Sequence, residues 1–147
     1  IVEARATSEA VLFDSPFKNR YKAFDYLNTL ALRMAAGVSS VVISRAGSTI
    51  FEIAAWGVPS IIIPIPESNG DHQRQNAFVY ARAGACSVIE EGNLRPNILA
   101  SEIERLVTNQ TEREKMKAAT ESFYKPNASR LVAEEILKIA LAHELEK

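Results

Sequence analysis

The sequence predicts an α/β fold, a Rossmann-like parallel sheet flanked by helices. Two observations predict it. Val41-Val42-Ile43 and Ile61-Ile62-Ile63-Pro64-Ile65 are near-continuous aliphatic runs without alternation, which fits parallel strands covered on both faces better than a half-exposed antiparallel sheet. Each run then enters a glycine-containing turn that opens a helical pattern: Ser44 to Ser48 leads into Thr49 to Gly57, and Glu67-Ser68-Asn69-Gly70 leads into Asp71 to Ala77. Ligands of open parallel sheets sit beyond the carboxyl ends of the strands, so the polar residues of both turns point at one crevice.

Taken in order, residues 1–12 are expected to be helical, and Asp14-Ser15-Pro16 ends them because proline disfavours helix in the preceding residue. Lys18 to Phe24 reads as a short strand. From Leu27 the spacing of Leu30, Ala31, Met34, Ala35 and Val38 is helical, giving one apolar face, with Gly37 placed to stop the helix. Thr49 to Trp56 has room for one helix only, terminated by Gly57-Val58-Pro59, so the two aliphatic runs and this helix form a strand-helix-strand unit. Asp71 to Arg82 makes the next helix, closed by Gly84, and Cys86 to Ile89 the next strand. Pro96 suits the first turn of a helix carrying Ile98, Leu99, Ile103, Leu106 and Val107. Thr111 and Glu114 have capping-box spacing for a helix reaching Phe123, which Lys125-Pro126-Asn127 breaks. A last helix, from Ala128 to about His143, stripes Leu131, Val132, Ile136, Ile139 and Ala140 on one side.

The totals exclude several classes. The 147 residues fit one domain with a real core, 47% hydrophobic and 24% charged. A net charge of -1 and a pI near 6.2 give no bulk attraction to nucleic acid or to an anionic membrane, so any anion must be bound locally. No apolar run reaches membrane-spanning length. The single cysteine, Cys86, lies in an apolar strand and reads as a buried thiol in a reducing compartment. Ile1-Val2-Glu3-Ala4-Arg5-Ala6 reads like the middle of a helix, so a piece of a longer protein, truncated at its amino end, is expected.

Three groups of residues could do chemistry. In Arg45-Ala46-Gly47-Ser48-Thr49, small residues let a ligand approach the backbone, and the free amides of a helix amino end attract phosphate. Taken alone, an ordinary tight connection is favoured there, with Gly47 supplying an unusual backbone angle and Thr49 a cap. Glu52, three residues after Thr49, either completes a capping box or accepts hydrogen bonds from a ribose diol; spacing alone favours the cap. Asp71-His72-Gln73-Arg74-Gln75-Asn76 crowds neutral amides and an imidazole onto a helix start, which suits sugar hydroxyls. A solvated first turn capped by Asp71, with Asn76 tying down a neighbouring loop, is the plain alternative. His72 as a general base or metal ligand ranks below both, because His143 lies in a charged tail and no cysteine or carboxylate cluster has metal-ligand spacing. Trp56 reads as packing.

Together, Ser44 to Thr49, Glu52-Ile53-Ala54-Ala55 with Gly57 and Pro59, Pro64-Ile65-Pro66, Asp71-His72-Gln73, Asn76-Ala77 and Ala83-Gly84-Ala85 closely resemble the carboxyl-terminal half of the MurG family. Those are the bacterial UDP-N-acetylglucosamine transferases that complete lipid II for the cell wall. The likeness runs from about Phe24 onward and keeps order, spacing and residue type across several motifs. It implies that residues 1–147 are a single donor-binding domain of a two-domain GT-B glycosyltransferase. By the resemblance Glu52 would bond the ribose hydroxyls of UDP, which reverses the preference for a cap. Amides around Gly47, Ser48 and Thr49 would face the diphosphate, His72 and Gln73 the hexose hydroxyls, and Leu27 would offer its backbone to uracil; Arg45 and Asn76 belong to the same donor-binding set.

The implied reaction is inverting: a hydroxyl of a lipid-linked sugar attacks the anomeric carbon of UDP-N-acetylglucosamine and UDP leaves, with no cofactor and no metal. The resemblance puts the catalytic base and the lipid-linked acceptor site in an amino-terminal domain expected to lie outside these 147 residues. The isolated chain is therefore expected to be inactive, and to meet the inner face of the cytoplasmic membrane only peripherally, through the parent protein. Some relatives carry one more residue between the glycine matching Gly47 and the glutamate matching Glu52, so the turn here is tighter. A donor-binding subunit of a two-chain glycosyltransferase, or another GT-B enzyme such as a UDP-sugar epimerase, are the alternative readings.

Overall fold

Helix α1 (Thr29–Val38) starts at Asn28, whose Oδ1 accepts from the Ala31 N–H at 2.9 Å and satisfies one of the orphan donors of the first turn. The computed structural model describes Thr7, residues 10–66 and residues 69–145, and the chain divides into two units, one ending at Ala35 and the other beginning at Ala36. Gly37 does not end α1 in a left-handed turn as expected. It is helical, and the Ser39 N–H closes the helix on the Ala36 carbonyl at 3.1 Å. The expected apolar face of α1 is not covered: Leu30, Met34 and Val38 are exposed.

In the first unit, Thr7 and residues 10–12 are helical, and the remainder of the expected 1–12 helix lies outside the described residues. The expected strand over Lys18 to Phe24 does not form. Lys18–Arg20 is a 3-10 turn instead, and residues 21–24 are irregular. A strand needs a partner for its N–H and C=O groups, and no other strand lies among the described residues of this unit. The basic side chains find local aromatic partners: the Lys18 ammonium sits 5.9 Å from the centre of the Phe13 ring, and the Arg20 guanidinium 5.3 Å from that of Phe17.

The second unit is built on a three-stranded parallel sheet in the order β1 (Val42–Ser44), β2 (Ser60–Ile62), β3 (Cys86–Val88). Its register aligns Ile43 with Ile61 and Ile61 with Ser87. The strands are shorter than the aliphatic runs that predict them. Pro64 and Pro66 lack the N–H that a longer β2 would need. β2, the middle strand, is buried along its whole length.

Five helices follow: α2 (Thr49–Trp56), α3 (His72–Arg82), α4 (Pro96–Thr108), α5 (Gln110–Phe123) and α6 (Ala128–Leu145). Alternate residues of β2 and β3 point into two cores, as strands covered on both faces require, whereas the expected double cover does not extend to β1, where Ile43 is exposed. Ile62 and Cys86 pack with Ile50, Ile53, Ala77 and Tyr80 of α2 and α3. On the other face Ile61, Ile63 and Ile89 pack with Leu106 of α4 and Met116 of α5. Burying an isoleucine such as Ile61 or Ile62 contributes about 1.5–3 kcal/mol each, so these aliphatic strands hold the helices in place. Phe123 joins α5 to the first core, stacked 5.4 Å from Phe51 and tilted 4.7 Å from Tyr80; Trp56 packs against the same core.

The helix ends explain the loop geometry. Gly57 is left-handed (φ 64°, ψ 35°), with its N–H on Ala54 and that of Val58 on Ile53, so α2 stops where the sequence says it should. Gly84 (φ 79°) does the same after α3. The capping-box expectation for α5 is displaced by two residues: Asn109, not Thr111, caps it, accepting from the Glu112 N–H at 3.0 Å. In α6 the striped residues are exposed, Leu131, Val132 and Ile136 at 59–61%.

Candidate functional site

All three strands deliver their loops to the same edge of the sheet. β1 exits through Arg45-Ala46-Gly47-Ser48 into α2, and β2 through Ile63-Pro64-Ile65-Pro66 and a 3-10 turn (Asn69–Asp71) into α3. β3 exits through Ile89-Glu90 into a second 3-10 turn at Glu91–Asn93. The candidate residues of the first two loops therefore stand at the carboxyl ends of neighbouring parallel strands, where open α/β sheets bind ligands.

The amino end of α2 is not built as an ordinary capped turn. Gly47 has no left-handed φ, and a methyl group added to it would meet nothing within 4 Å. Ser48 precedes the helix without a side-chain cap. The N–H groups of Ile50 and Phe51 close back on Gly47 and Ser48 at 3.2 and 3.0 Å, while those of Gly47, Ser48 and Thr49 have no acceptor among the described residues. Glu52, in the first turn, is exposed, and its carboxylate pairs with no described residue, so the capping box with Thr49 is not made. Unsatisfied donors and a carboxylate thus share one helical turn.

The start of α3 is shaped by two successive left-handed residues, Gly70 (φ 64°) and Asp71 (φ 56°). For a non-glycine residue this conformation costs on the order of 1–3 kcal/mol and persists only where surrounding structure enforces it. Asp71 does not cap α3 with its side chain. Gln73 Oε1 accepts from the Ile65 N–H at 3.2 Å, fixing the carboxamide against the loop after β2. Asn76 Nδ2 donates to the Ala46 carbonyl at 3.3 Å, across to the turn before α2. His72 is exposed on the first turn of α3. Leu27 lies in the first unit, half-buried just before Asn28.

Arg45 is already engaged. Its Nη1 donates to Glu91 Oε2 at 2.7 Å and to the Ile63 carbonyl at 3.3 Å, and Nη2 reaches Glu91 Oε1 at 3.5 Å. Arg74 pairs likewise with Glu90, at 3.1 Å. Glu90 and Glu91 are the site-edge residues that sequence reasoning missed. The available signal was two adjacent carboxylates directly after a strand on the ligand edge.

The ionisable groups with displaced pKa values lie away from this edge. Burial pushes the Cys86 thiol up to about 12, and raises Tyr80 as well. The hydrogen-bonded Arg105 guanidinium, against an opposing desolvation, holds Glu102 below its usual range. Among the described residues no three histidine, cysteine or acidic side chains gather where they could hold a metal ion, and no helix is long and apolar enough to cross a membrane.

Residues 4–134 match the glycosyltransferase family 28 C-terminal domain. The chain belongs to that family. Among relatives of the family 28 domain, the UDP-N-acetylglucosamine--N-acetylmuramyl-(pentapeptide) pyrophosphoryl-undecaprenol N-acetylglucosamine transferase of Acetivibrio thermocellus is 40% identical over 115 residues, covering 78% of this chain and 31% of the relative. The enzyme of the same name from Caldicellulosiruptor saccharolyticus is 36% identical over 124 residues, covering 82% and 33%. The crystal structure of Acinetobacter baumannii MurG superposes with a TM-score of 0.76 at 25% identity, over 90% of this chain and 38% of MurG. This confirms the fold class, and the chain spans about a third of the length of the curated relatives it matches.

Proposed function

We propose that this family 28 domain binds the sugar nucleotide in an inverting N-acetylglucosaminyltransferase, which moves N-acetylglucosamine from UDP-N-acetylglucosamine to undecaprenyl-diphospho-muramoyl-pentapeptide, the step from lipid I to lipid II. The observation that carries this is the amino end of α2, where the N–H groups of Gly47, Ser48 and Thr49 and the Glu52 carboxylate, all without a partner among the described residues, share one turn. The names of the full-length relatives supply the donor and the acceptor. This chain is one donor-binding domain; acceptor binding, the catalytic base and peripheral attachment at the inner face of the cytoplasmic membrane belong to the rest of the protein.

The chemistry follows from charge. UDP departs with negative charge growing on its diphosphate, and amide donors at a helix amino end stabilise that charge without a metal. Open space above Gly47 lets the phosphates approach the backbone. Glu52, in the same first turn of α2, accepts from the ribose diol. His72 and Gln73 at the start of α3 take the hexose hydroxyls. Asn76, bonded to Ala46, contributes by holding the two loops together rather than by reaching the sugar.

Calorimetric titration of the full-length protein with UDP-N-acetylglucosamine, UDP-N-acetylgalactosamine and UDP, repeated with Glu52→Ala, tests the reading. Preferential binding of the first sugar nucleotide is expected, with a loss of roughly 1–3 kcal/mol on substitution, the scale of a charge-assisted hydrogen bond. Equal affinity for all three, untouched by Glu52→Ala, would refute it.

A further inference from the structure

The bond between Arg45 and Glu91 crosses the sheet. Arg45 follows β1 and Glu91 follows β3, strands that are not neighbours because β2 lies between them. On the way the same guanidinium donates to the Ile63 carbonyl, the first residue after β2. One side chain thus joins the exits of all three strands, and it is the residue next to Ala46, where the turn into α2 begins. Beside it, Glu90 grips Arg74 in the first turn of α3 with bonds of 3.3 and 3.1 Å from Nε and Nη2. The two adjacent carboxylates after β3 therefore hold one arm each of the ligand edge.

These pairs have little to do with stability. The Arg45 and Glu91 side chains are 47% and 40% exposed, and ion pairs with that much solvent add little to folding. What a forked guanidinium held on both carboxylate oxygens adds is direction, since its planar geometry fixes the relative position of the parts it joins. A guanidinium whose charge is already met by a carboxylate is also a poor direct ligand for a diphosphate.

We propose that Glu91 is a positioning residue for the donor: through Arg45 it sets the turn from Ala46 to Thr49 at the height where its amides meet a nucleoside diphosphate. The inference rests on the donor-binding reading and adds to it a residue that never touches the ligand. Misplacing the residues that lead into α2 weakens contacts to the diphosphate more than those of Glu52, because Glu52 rides on the helix itself, which Ile50 and Ile53 anchor in the buried core.

Titrating the full-length protein with UDP and with uridine, in wild-type and variant forms, tests this. Wild-type protein binds UDP, which the donor-binding reading already requires. Glu91→Gln is expected to weaken UDP about tenfold, while uridine affinity and the melting temperature stay as in wild type. The exchanged pair Arg45→Glu with Glu91→Arg recovers most of the loss, since a strut works in either polarity. Unchanged UDP affinity in Glu91→Gln overturns the inference alone, as does an equal loss for UDP and uridine, which marks a general structural fault. An exchanged pair that binds UDP no better than Glu91→Gln also overturns it, because the effect would then not run through the bond between Arg45 and Glu91. Failure of the wild type to bind UDP removes the donor-binding reading, and this inference with it.

Discussion

Asn76 of α3 donates through Nδ2 to the carbonyl of Ala46, 30 residues earlier, at 3.3 Å. That bond couples the two loop-to-helix junctions to which the proposal assigns donor binding. Ala46 is itself fully buried, so its carbonyl has few other donors to turn to. Replacing Asn76 by alanine is expected to cost about 1–3 kcal/mol of stability, the usual range for leaving a shielded carbonyl unpaired. Chemical denaturation with an unchanged slope would measure it, and a loss below a few tenths of that range would show that the bond is not maintained in solution.

Gly47 and Gly57 make an internal contrast. Gly57 needs its left-handed φ of 64°, so Gly57→Ala should lower stability by about 1 kcal/mol. Gly47 has neither a left-handed φ nor a neighbour within 4 Å of an added methyl group. Gly47→Val should therefore melt close to wild type and still bind UDP less tightly, because the side chain would stand where the donor-binding proposal puts the phosphate. Paired melting and titration of the two variants would separate these effects.

Glu52 makes no capping box, so Glu52→Ala should leave the melting temperature of the unliganded protein unchanged. A clear drop without ligand would restore the capping role that spacing alone favours.

Cys86 is buried, its thiol pushed up to about 12 by loss of solvation. Near neutral pH it is held as the thiol, the unreactive form. A disulfide-exchange reagent should label it only at the rate of unfolding and quickly in denaturant; rapid labelling of the native protein would contradict the packing of β3 against α3.

Glu102 is held below its usual range by Arg105. Its ionised form is stabilised in the folded state, so its contribution is complete above the unfolded carboxyl value of about 4.3 and is lost as pH falls through the lower folded value. Melting curves taken down to about pH 3 should be flatter for Glu102→Gln than for wild type.

The parts of this molecule that the sequence discloses are those set by local patterning. The unalternating aliphatic run at Ile61 foretells a buried parallel strand, whereas the run at Val41 gives a parallel strand that is only part-buried, with Ile43 exposed. Gly57 and Gly84 foretell helix ends, because only glycine takes a left-handed φ without strain. The misread parts depend on partners. Lys18 to Phe24 has strand-like residues and no strand beside it among the described residues of its unit, and the α5 cap falls on Asn109 because the helix already begins at Gln110, leaving Thr111 inside its first turn. At the site, Glu52 and Asn76 were legible as candidates. The engagement of Arg45 was not, since its partner Glu91 lies 46 residues away and is brought near only by the sheet order.

The most direct test of the central claim is amide NMR of the isotope-labelled full-length protein titrated with UDP and, separately, uridine. The account predicts that the Gly47, Ser48 and Thr49 amide signals move strongly with UDP and little with uridine, as donors that gain a phosphate acceptor must. UDP binding that leaves those three amides in place would contradict it.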